Sequence, residues 1–346
     1  METNNLKILE VEHLTKEFDA RRKLTGRRMK LRAVDDVSFY VKKGETFGIV
    51  GESGCGKTTL GKCIVRLHKP TAGRMYYRVD GVKKDLLDLP KNESFRMRRR
   101  IQIIFQDPYA SLNPMHNILE AFDEPLRIHG FGNKDTRREI AASMLERVNL
   151  QPDYMYRYPH EFSGGQRQRI CIAKALALQP DMVVCDEPVS ALDVSIQAQI
   201  LNLMKELQQE MDLAYIFIAH DLSVVQYMSD RIAVMYLGKI VETGTSDELY
   251  NNHLHPYTQA LLSAVPVPVV GQKKQRIVLP GDIPSPLAPP SGCRFHPRCE
   301  HCMEKCRKSE PPLIRVGGEH EVACHMYASA GEADARSGED KCVASA

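Results

Sequence analysis

Gly51-Glu52-Ser53-Gly54-Cys55-Gly56-Lys57-Thr58 is a complete G-x-x-x-x-G-K-[ST] string, and the fold is read outward from it. An apolar, strand-like run, Thr46-Phe47-Gly48-Ile49-Val50, leads in. A helix-like stretch, Thr59-Leu60-Gly61-Lys62-Cys63-Ile64-Val65, leads out. Gly51, Gly54 and Gly56 let the backbone turn tightly enough for successive N–H groups to face an anion. The following helix start adds partial positive charge. Lys57 can reach the β- and γ-phosphates of a nucleotide, and the Thr58 hydroxyl can ligate Mg²⁺. A Gly-rich turn ahead of a helix is the plainer reading, and the strand–loop–helix context disfavours it.

The chain has 346 residues, 43% hydrophobic and 26% charged, with a formal net charge of +3. That allows a large core and two or more domains of ordinary soluble composition. The near-neutral balance argues against a nucleic-acid binder. No apolar run approaches the length of a membrane span, and Met1–Asn5 has no signal-peptide pattern. A cytoplasmic location is expected, with any membrane role reached through a partner. The ten cysteines are unevenly spread. Cys55, Cys63, Cys171 and Cys185 are scattered. Cys293, Cys299, Cys302, Cys306 and Cys324 crowd together, and Cys342 lies in the tail. In a reducing compartment such crowding points to metal rather than disulfides.

Residues 7–18 and 33–50 read as strands. The basic stretch Ala20–Arg32 between them reads as a loop, either a solvated insertion or a contact with anionic lipid headgroups. Residues 98–106 read as a strand, and 114–180 as mostly helical with a break at Tyr158-Pro159. Met182–Cys185 and Tyr215–Ala219 are apolar strands on either side of a helix-like segment, 195–210. Near-continuous apolar strands alternating with helices imply an α/β fold whose parallel sheet is covered on both faces. Pro266–Pro290 reads as an extended linker into a small terminal module, and residues 328–346 as disordered.

Two further segments belong with the phosphate loop. Asp186 and Glu187 emerge at the C-terminal end of the strand Met182–Cys185, where open α/β sheets bind ligands. Asp186 can hold Mg²⁺ through water, and Glu187 can polarise an attacking water as general base. Ser163-Gly164-Gly165-Gln166 ahead of an amphipathic helix makes a second anion-binding helix start. One γ-phosphate does not obviously need both.

With these segments in order, residues 7–265 resemble the ATP-binding-cassette ATPases. Gly51, Glu52, Ser53, Gly54, Cys55, Gly56, Lys57 and Thr58 match the Walker A motif, with the adjoining Thr59 counted among the nucleotide-binding residues, and Gln106 matches the Q-loop. Ser163–Gln166 match the signature, where Phe162 replaces the usual Leu. Met182–Glu187 match Walker B, Ser190–Asp193 the D-loop and His220 the H-loop. Phe18 falls where the family places an aromatic that stacks on adenine; a buried strand Phe is the other reading. The resemblance implies a P-loop NTPase core with a mainly parallel sheet, an antiparallel β subdomain, and a helical subdomain at about 107–180 that docks on a permease. It implies ATP and Mg²⁺, the metal held by Thr58, Gln106 and Asp186. It further implies a head-to-tail pair of cassettes, in which Ser163 and Gly165 contact the γ-phosphate bound to the partner. His220 would fix the γ-phosphate and the attacking water. Nothing marks the chain as a degenerate half, since Lys57, Glu187, His220 and Ser163–Gln166 are intact.

Finer strings, Ile104–Pro114, Cys185–Gln199 and His255–Thr258, resemble the dipeptide and oligopeptide importers. Val189-Ser190 and Asp221-Leu222-Ser223 look like the second of that system's two ATPase subunits. The implied partners are a paralogous second ATPase, two transmembrane permease subunits at the cytoplasmic face of the membrane and, indirectly, an extracytoplasmic peptide-binding protein, with no nucleic acid. Nickel or another small solute is the alternative cargo. A soluble cassette protein and a redox- or metal-sensing regulator are the alternatives of a different class. The pattern Cys293-x5-Cys299-x6-Cys306-x17-Cys324 resembles the same importers' C-terminal region, where some members are thought to hold a [4Fe–4S] cluster. Four thiolates fit either such a cluster, the first expectation, or tetrahedral Zn²⁺, and spacing leaves cluster, zinc and no metal open. The expected division is 1–265, linker 266–290, Cys-rich module 291–328 and tail 329–346.

Overall fold

Residues 6–21, 28–265 and 276–328 are described by a computed structural model. An antiparallel sheet is built from β1 (Lys7–Arg21), β2 (Arg28–Lys42), β4 (Ala72–Val79) and β5 (Val82–Asp85), in the order β2-β1-β4-β5. A second sheet contains β3 (Thr46–Val50), β6 (Ile101–Ile104), β7 (Met182–Asp186), β8 (Ala214–Ala219), β9 (Arg231–Tyr236), β10 (Lys239–Thr245), β11 (Ile314–Gly317) and β12 (His320–Val322). Its order is β11-β12-β10-β9-β3-β8-β7-β6. Strands β6, β7, β8, β3 and β9 pair in parallel, and β9, β10, β12 and β11 antiparallel, so the sheet is mixed. Every residue of β3, β7, β8 and β9 is buried, as expected of strands covered on both faces.

Helices cover this sheet. They are α1 (Lys57–Ile64), α2 (Lys91–Arg100), α3 (Pro108–Ser111), α4 (Ile118–Ile128), α5 (Lys134–Arg147), α6 (Gly164–Leu176), α7 (Val194–Met211), α8 (Leu222–Met228), α9 (Ser246–Asn251), α10 (Pro256–Ser263) and α11 (Glu304–Lys308). Two apolar cores result. One joins α4–α7 to one face of the second sheet through Phe122, Leu145, Ile170, Met204 and Phe217. The other joins α1 and the antiparallel sheet to the opposite face through Leu60, Ile64, Tyr77, Ile49 and Ile218. The phosphate loop therefore springs from a strand packed on both sides. Among the described residues, no helix is long and apolar enough to cross a membrane.

Three expectations need correction. Ala20–Arg32 is not a loop throughout: Ala20 pairs with Met29 and Arg21 with Arg28, which extends β1 and β2 into the basic stretch. Charge pairing explains this, since Glu17 on β1 accepts hydrogen bonds from Lys30 (2.7 Å) and Arg32 (2.8 Å) on β2. Residues 22–27 lie outside the described part. The run 33–50 is split at Lys43-Gly44 into β2 and β3, which enter different sheets. Arg98–Arg100 belong to the last turn of α2, where cations complement the helix dipole, and only Ile101–Ile104 pair with β7.

The C-terminal segment has its own consequence. Strand β12 pairs with the edge of β10, Glu242 opposite Val322 and Thr243 opposite Glu321, and β11 pairs with β12. Glu319 forms ion pairs with Lys42 (2.9 Å) and Arg231 (3.0 Å). A stretch too short to bury a core alone thus joins the main sheet. Residues 276–290 carry no helix or strand. The remainder of the Pro-rich stretch, 266–275, and the tail 329–346 lie outside the described residues.

Candidate active site

Parallel strands β3, β6, β7 and β8 all end on one side of the sheet, so the segments that follow them meet there. They line a cleft of about 500 Å³ with Phe18, Ser53, Gly54, Cys55, Gly56, Lys57, Thr58, Thr59, Gln106, Glu187 and His220. Phe18 forms an edge contact with His68 at 5.4 Å, and the Lys16 ammonium lies 4.8 Å above its ring.

Gly56 caps α1 at φ 109°, in the left-handed region. A Cβ there would stand 2.0 Å from the Ala33 carbonyl oxygen, a distance no side chain tolerates. Lys57 is 5% exposed, and its ammonium donates to the Gly51 carbonyl (2.7 Å) and the Glu52 carbonyl (3.0 Å). Gly51 and Asp186 lie behind the surface of the cleft. Thr58 Oγ1 donates to Asp186 Oδ1 at 2.8 Å. Burial pushes the Asp186 carboxyl up, against the pull of that hydrogen bond. Two hard oxygen donors in contact, with the Gln106 amide lining the same cleft, are a donor set that suits Mg²⁺.

The carboxylate of Glu187 is the meeting point of the cleft. Its Oε2 accepts from Gln106 Nε2 at 3.0 Å and lies 3.0 Å from His220 Nδ1. Gln106 also reaches Ser190 Oγ at 3.4 Å. Glu187 sits at φ 49°, an uncommon conformation for a residue with a Cβ, with its N–H on the Ile218 carbonyl at 2.9 Å. Residues far apart in sequence are thus brought onto one oxygen.

Ser163, Gly164, Gly165 and Gln166 do not line this cleft. Ser163 Oγ accepts from Gln166 N (3.3 Å), and Gln166 Oε1 accepts from Ser163 N (3.0 Å), a reciprocal cap at the start of α6. Ser163 is exposed.

A set of residues that sequence reasoning missed backs the loop. The Glu52 N–H donates to the Tyr257 hydroxyl at 2.8 Å, and the Glu52 carboxylate is gripped by Arg298 at 2.8 and 3.2 Å. Pro286, from the stretch read as a linker, lines the cleft. No motif marked Arg298 or Pro286; Tyr257 lay in a string noted only for its resemblance. Behind Tyr257, the fully buried Glu242 carboxylate accepts from Leu254 N (2.7 Å), His255 N (3.0 Å) and lies 2.8 Å from His320 Nε2. The His255 Nδ1 accepts from Tyr257 N at 3.1 Å, which requires a neutral ring. Burial drives its pKa down to about 4, from 6.5, despite the pull of Glu242.

A buried neutral histidine implies a pH dependence. Between pH 6.5 and 4 the unfolded chain binds the proton that the folded chain refuses, so stability falls as pH falls through that window. The contribution lost between pH 7.5 and pH 5 is about 2 kcal/mol. His255→Asn keeps a capping acceptor without the titration. Urea unfolding at the two pH values should show a smaller loss for the variant than for the unaltered chain; equal losses would remove His255 as the source.

The metal expectation for Cys293, Cys299, Cys306 and Cys324 is not supported. Among the described residues, no three His, Cys, Asp or Glu side chains are grouped so as to hold a metal ion. Burial pushes the Cys293 thiol up to about 11 and raises those of Cys299 and Cys324 as well.

Comparison with known proteins agrees with this geometry. A family model described as ABC transporter matches residues 34–190, and one described as the C-terminal region of oligopeptide/dipeptide transporters matches residues 241–306. The chain is 51% identical over 328 residues to a putative oligopeptide transport ATP-binding protein, YkfD, of Bacillus subtilis (strain 168), covering 94% of this chain and 97% of that protein. It is 48% identical over 318 residues to the dipeptide transport ATP-binding protein DppF of Escherichia coli (strain K12), covering 92% and 93%. Among solved structures, the dimeric ATP-binding cassette MJ0796 in a post-hydrolysis state with ADP and Pi aligns with a TM-score of 0.59 at 29% identity, over 69% of this chain and 98% of that one.

Proposed function

The chain belongs to the ABC transporter family, and from that premise we propose that it is the ATPase subunit that powers import of dipeptides or oligopeptides through a membrane permease. The peptide reading is carried by the match of residues 241–306 to the C-terminal region of oligopeptide/dipeptide transporters, a region with no part in the ATPase motifs. The catalytic reading is supported by the convergence of Gln106 and His220 on Glu187 beside the phosphate loop.

Lys57 and the loop N–H groups bind the phosphates, and Phe18 takes the adenine. Thr58, Asp186 and Gln106 hold Mg²⁺, which neutralises charge on the phosphates when bound. Glu187 accepts the proton of the attacking water, and His220 holds that water and the γ-phosphate in place. Ser163, Gly164, Gly165 and Gln166 lie outside their own chain's cleft, which suits completion of a second cassette's site; the similar cassette MJ0796 is dimeric. The partner is a paralogous ATPase, the pair sits at the cytoplasmic face of two permease subunits, and residues 107–180 make the permease contact. Residues 1–265 form the cassette, 266–290 the linker and 291–328 the module docked on it.

The finer reading, a [4Fe–4S] cluster or Zn²⁺ on the module, rests on donor chemistry and on the proximity of the four thiols. The four thiols lie within electrostatic reach of one another, and backbone N–H groups of Phe295, His301 and Met326 face the sulfurs of Cys293, Cys299 and Cys324. Purification from native membranes, anaerobically and with iron, sulfide and zinc analysis, tests both levels. Two permease chains and a second ATPase are the expected company. A soluble assembly on nucleic acid would overturn the transport reading, and a folded, metal-free module the metal one.

A further inference from the structure

The only acidic side chain in the loop Gly51–Thr58 is Glu52, and a carboxylate there opposes the charge of any bound triphosphate. The C-terminal module answers that charge. Arg298, with its side chain 8% exposed, donates from its two terminal guanidinium nitrogens to the two Glu52 oxygens, at 2.8 and 3.2 Å. The Glu52 main chain is held on both sides, its N–H on the Tyr257 hydroxyl and its carbonyl on the Lys57 ammonium. A second arginine of the module acts indirectly, on the segment that contacts Cys55. Arg294 donates to the Leu237 carbonyl and pairs with Asp35. The next residue, Gly238, donates its N–H to the Cys55 carbonyl at 2.8 Å and accepts from the Asp35 N–H at 2.9 Å. The phosphate loop is thus held at Glu52 directly and at Cys55 through Gly238 by arginines that flank module cysteines, Arg294 after Cys293 and Arg298 before Cys299.

We propose that Arg298, assisted by Arg294, is a positioning residue for the phosphate loop, holding Glu52 neutralised and turned away so that the loop accepts the nucleotide. This deepens the nucleotide reading above and rests on it. Bidentate geometry fixes direction as well as charge, which a lysine cannot reproduce. Removing the guanidinium leaves a half-buried carboxylate unpaired beside the site of a polyanion.

The test is Mg-ATP affinity and steady-state ATPase kinetics of the full chain, with folding checked by thermal unfolding. Arg298→Ala should weaken Mg-ATP binding roughly 10-fold and raise KM with little change in kcat, the signature of lost binding common to ground and transition states. Arg298→Lys should fall between. Glu52→Gln placed on Arg298→Ala should recover most of the affinity, because the uncompensated charge is gone. Glu319→Ala, which removes the module's ion pairs to Lys42 and Arg231 without touching the loop, should leave affinity unchanged. Unaltered affinity in Arg298→Ala, or an equal loss in Glu319→Ala, overturns the proposal. Failure of the unaltered chain to bind Mg-ATP would instead overturn the nucleotide reading itself.

Discussion

Glu187→Gln is expected to lower ATP turnover by about 10²–10⁴-fold while Mg-ATP still binds, the range typical of a lost general base. The substitution nearly preserves shape. An amide oxygen can still accept from the Gln106 amide at the position where Glu187 Oε2 accepts at 3.0 Å. It cannot take a proton from water, and its dipole replaces a full charge next to His220 Nδ1. The loop contacts of Lys57 and the Thr58–Asp186 hydrogen bond do not pass through Glu187, so binding should survive. Phosphate release and nucleotide binding, measured on one preparation, separate the two effects. Full turnover in the variant would remove Glu187 from the base role; lost binding would mean that the residue shapes the cleft rather than the chemistry.

The second large effect is expected from a single methyl group. Gly56→Ala forces an L side chain to φ 109° and drives its Cβ to 2.0 Å from the Ala33 carbonyl and 3.0 Å from the Met235 methyl. The backbone conformation costs about 1–3 kcal/mol, and the overpacking about as much again. The chain can relieve this only by moving the start of α1 or the stretch of β2 around Ala33 beside it, and either disturbs Lys57 and Thr58. Nucleotide binding should be lost and denaturant midpoints should drop together. Gly81→Ala is the control. It shares a positive φ, 82°, but nothing stands within 4 Å of its Cβ. About 1 kcal/mol of stability should go, with turnover intact. Equal behaviour of the two variants would mean that the close approach to Ala33 is not what confines position 56 to glycine.

Much of the nucleotide site was legible because local chemistry demands residues in a local order. A phosphate loop needs glycines and a Lys-Thr pair within a few residues, and Asp186 and Glu187 adjoin at a strand end. The antiparallel sheet was less legible. Periodicity over 33–50 does not show that the chain leaves one sheet at Lys42 and enters another at Thr46. Nor did Ala20–Arg32 look like strands, since its positive charges suggest open loop until Glu17 is placed opposite Lys30 and Arg32. The end of helix α2 reads as strand in the sequence because three arginines carry no periodic signal.

The residues behind the loop could not be read at all. Glu52 and Arg298 are 246 positions apart, and nothing in either neighbourhood names the other. The amino-acid order determines which chemistry the chain can attempt, because phosphate cradling, metal ligation and base catalysis require particular side chains at short spacings. The assembled fold determines that Gln106, Glu187 and His220 meet at one oxygen, that Ser163 lies outside its own chain's cleft, and that the C-terminal strands close onto β10. The reason is physical. Motifs are written along the backbone, whereas charge compensation and burial act through space, and only the packed sheet brings Arg298 to the one carboxylate of the phosphate loop.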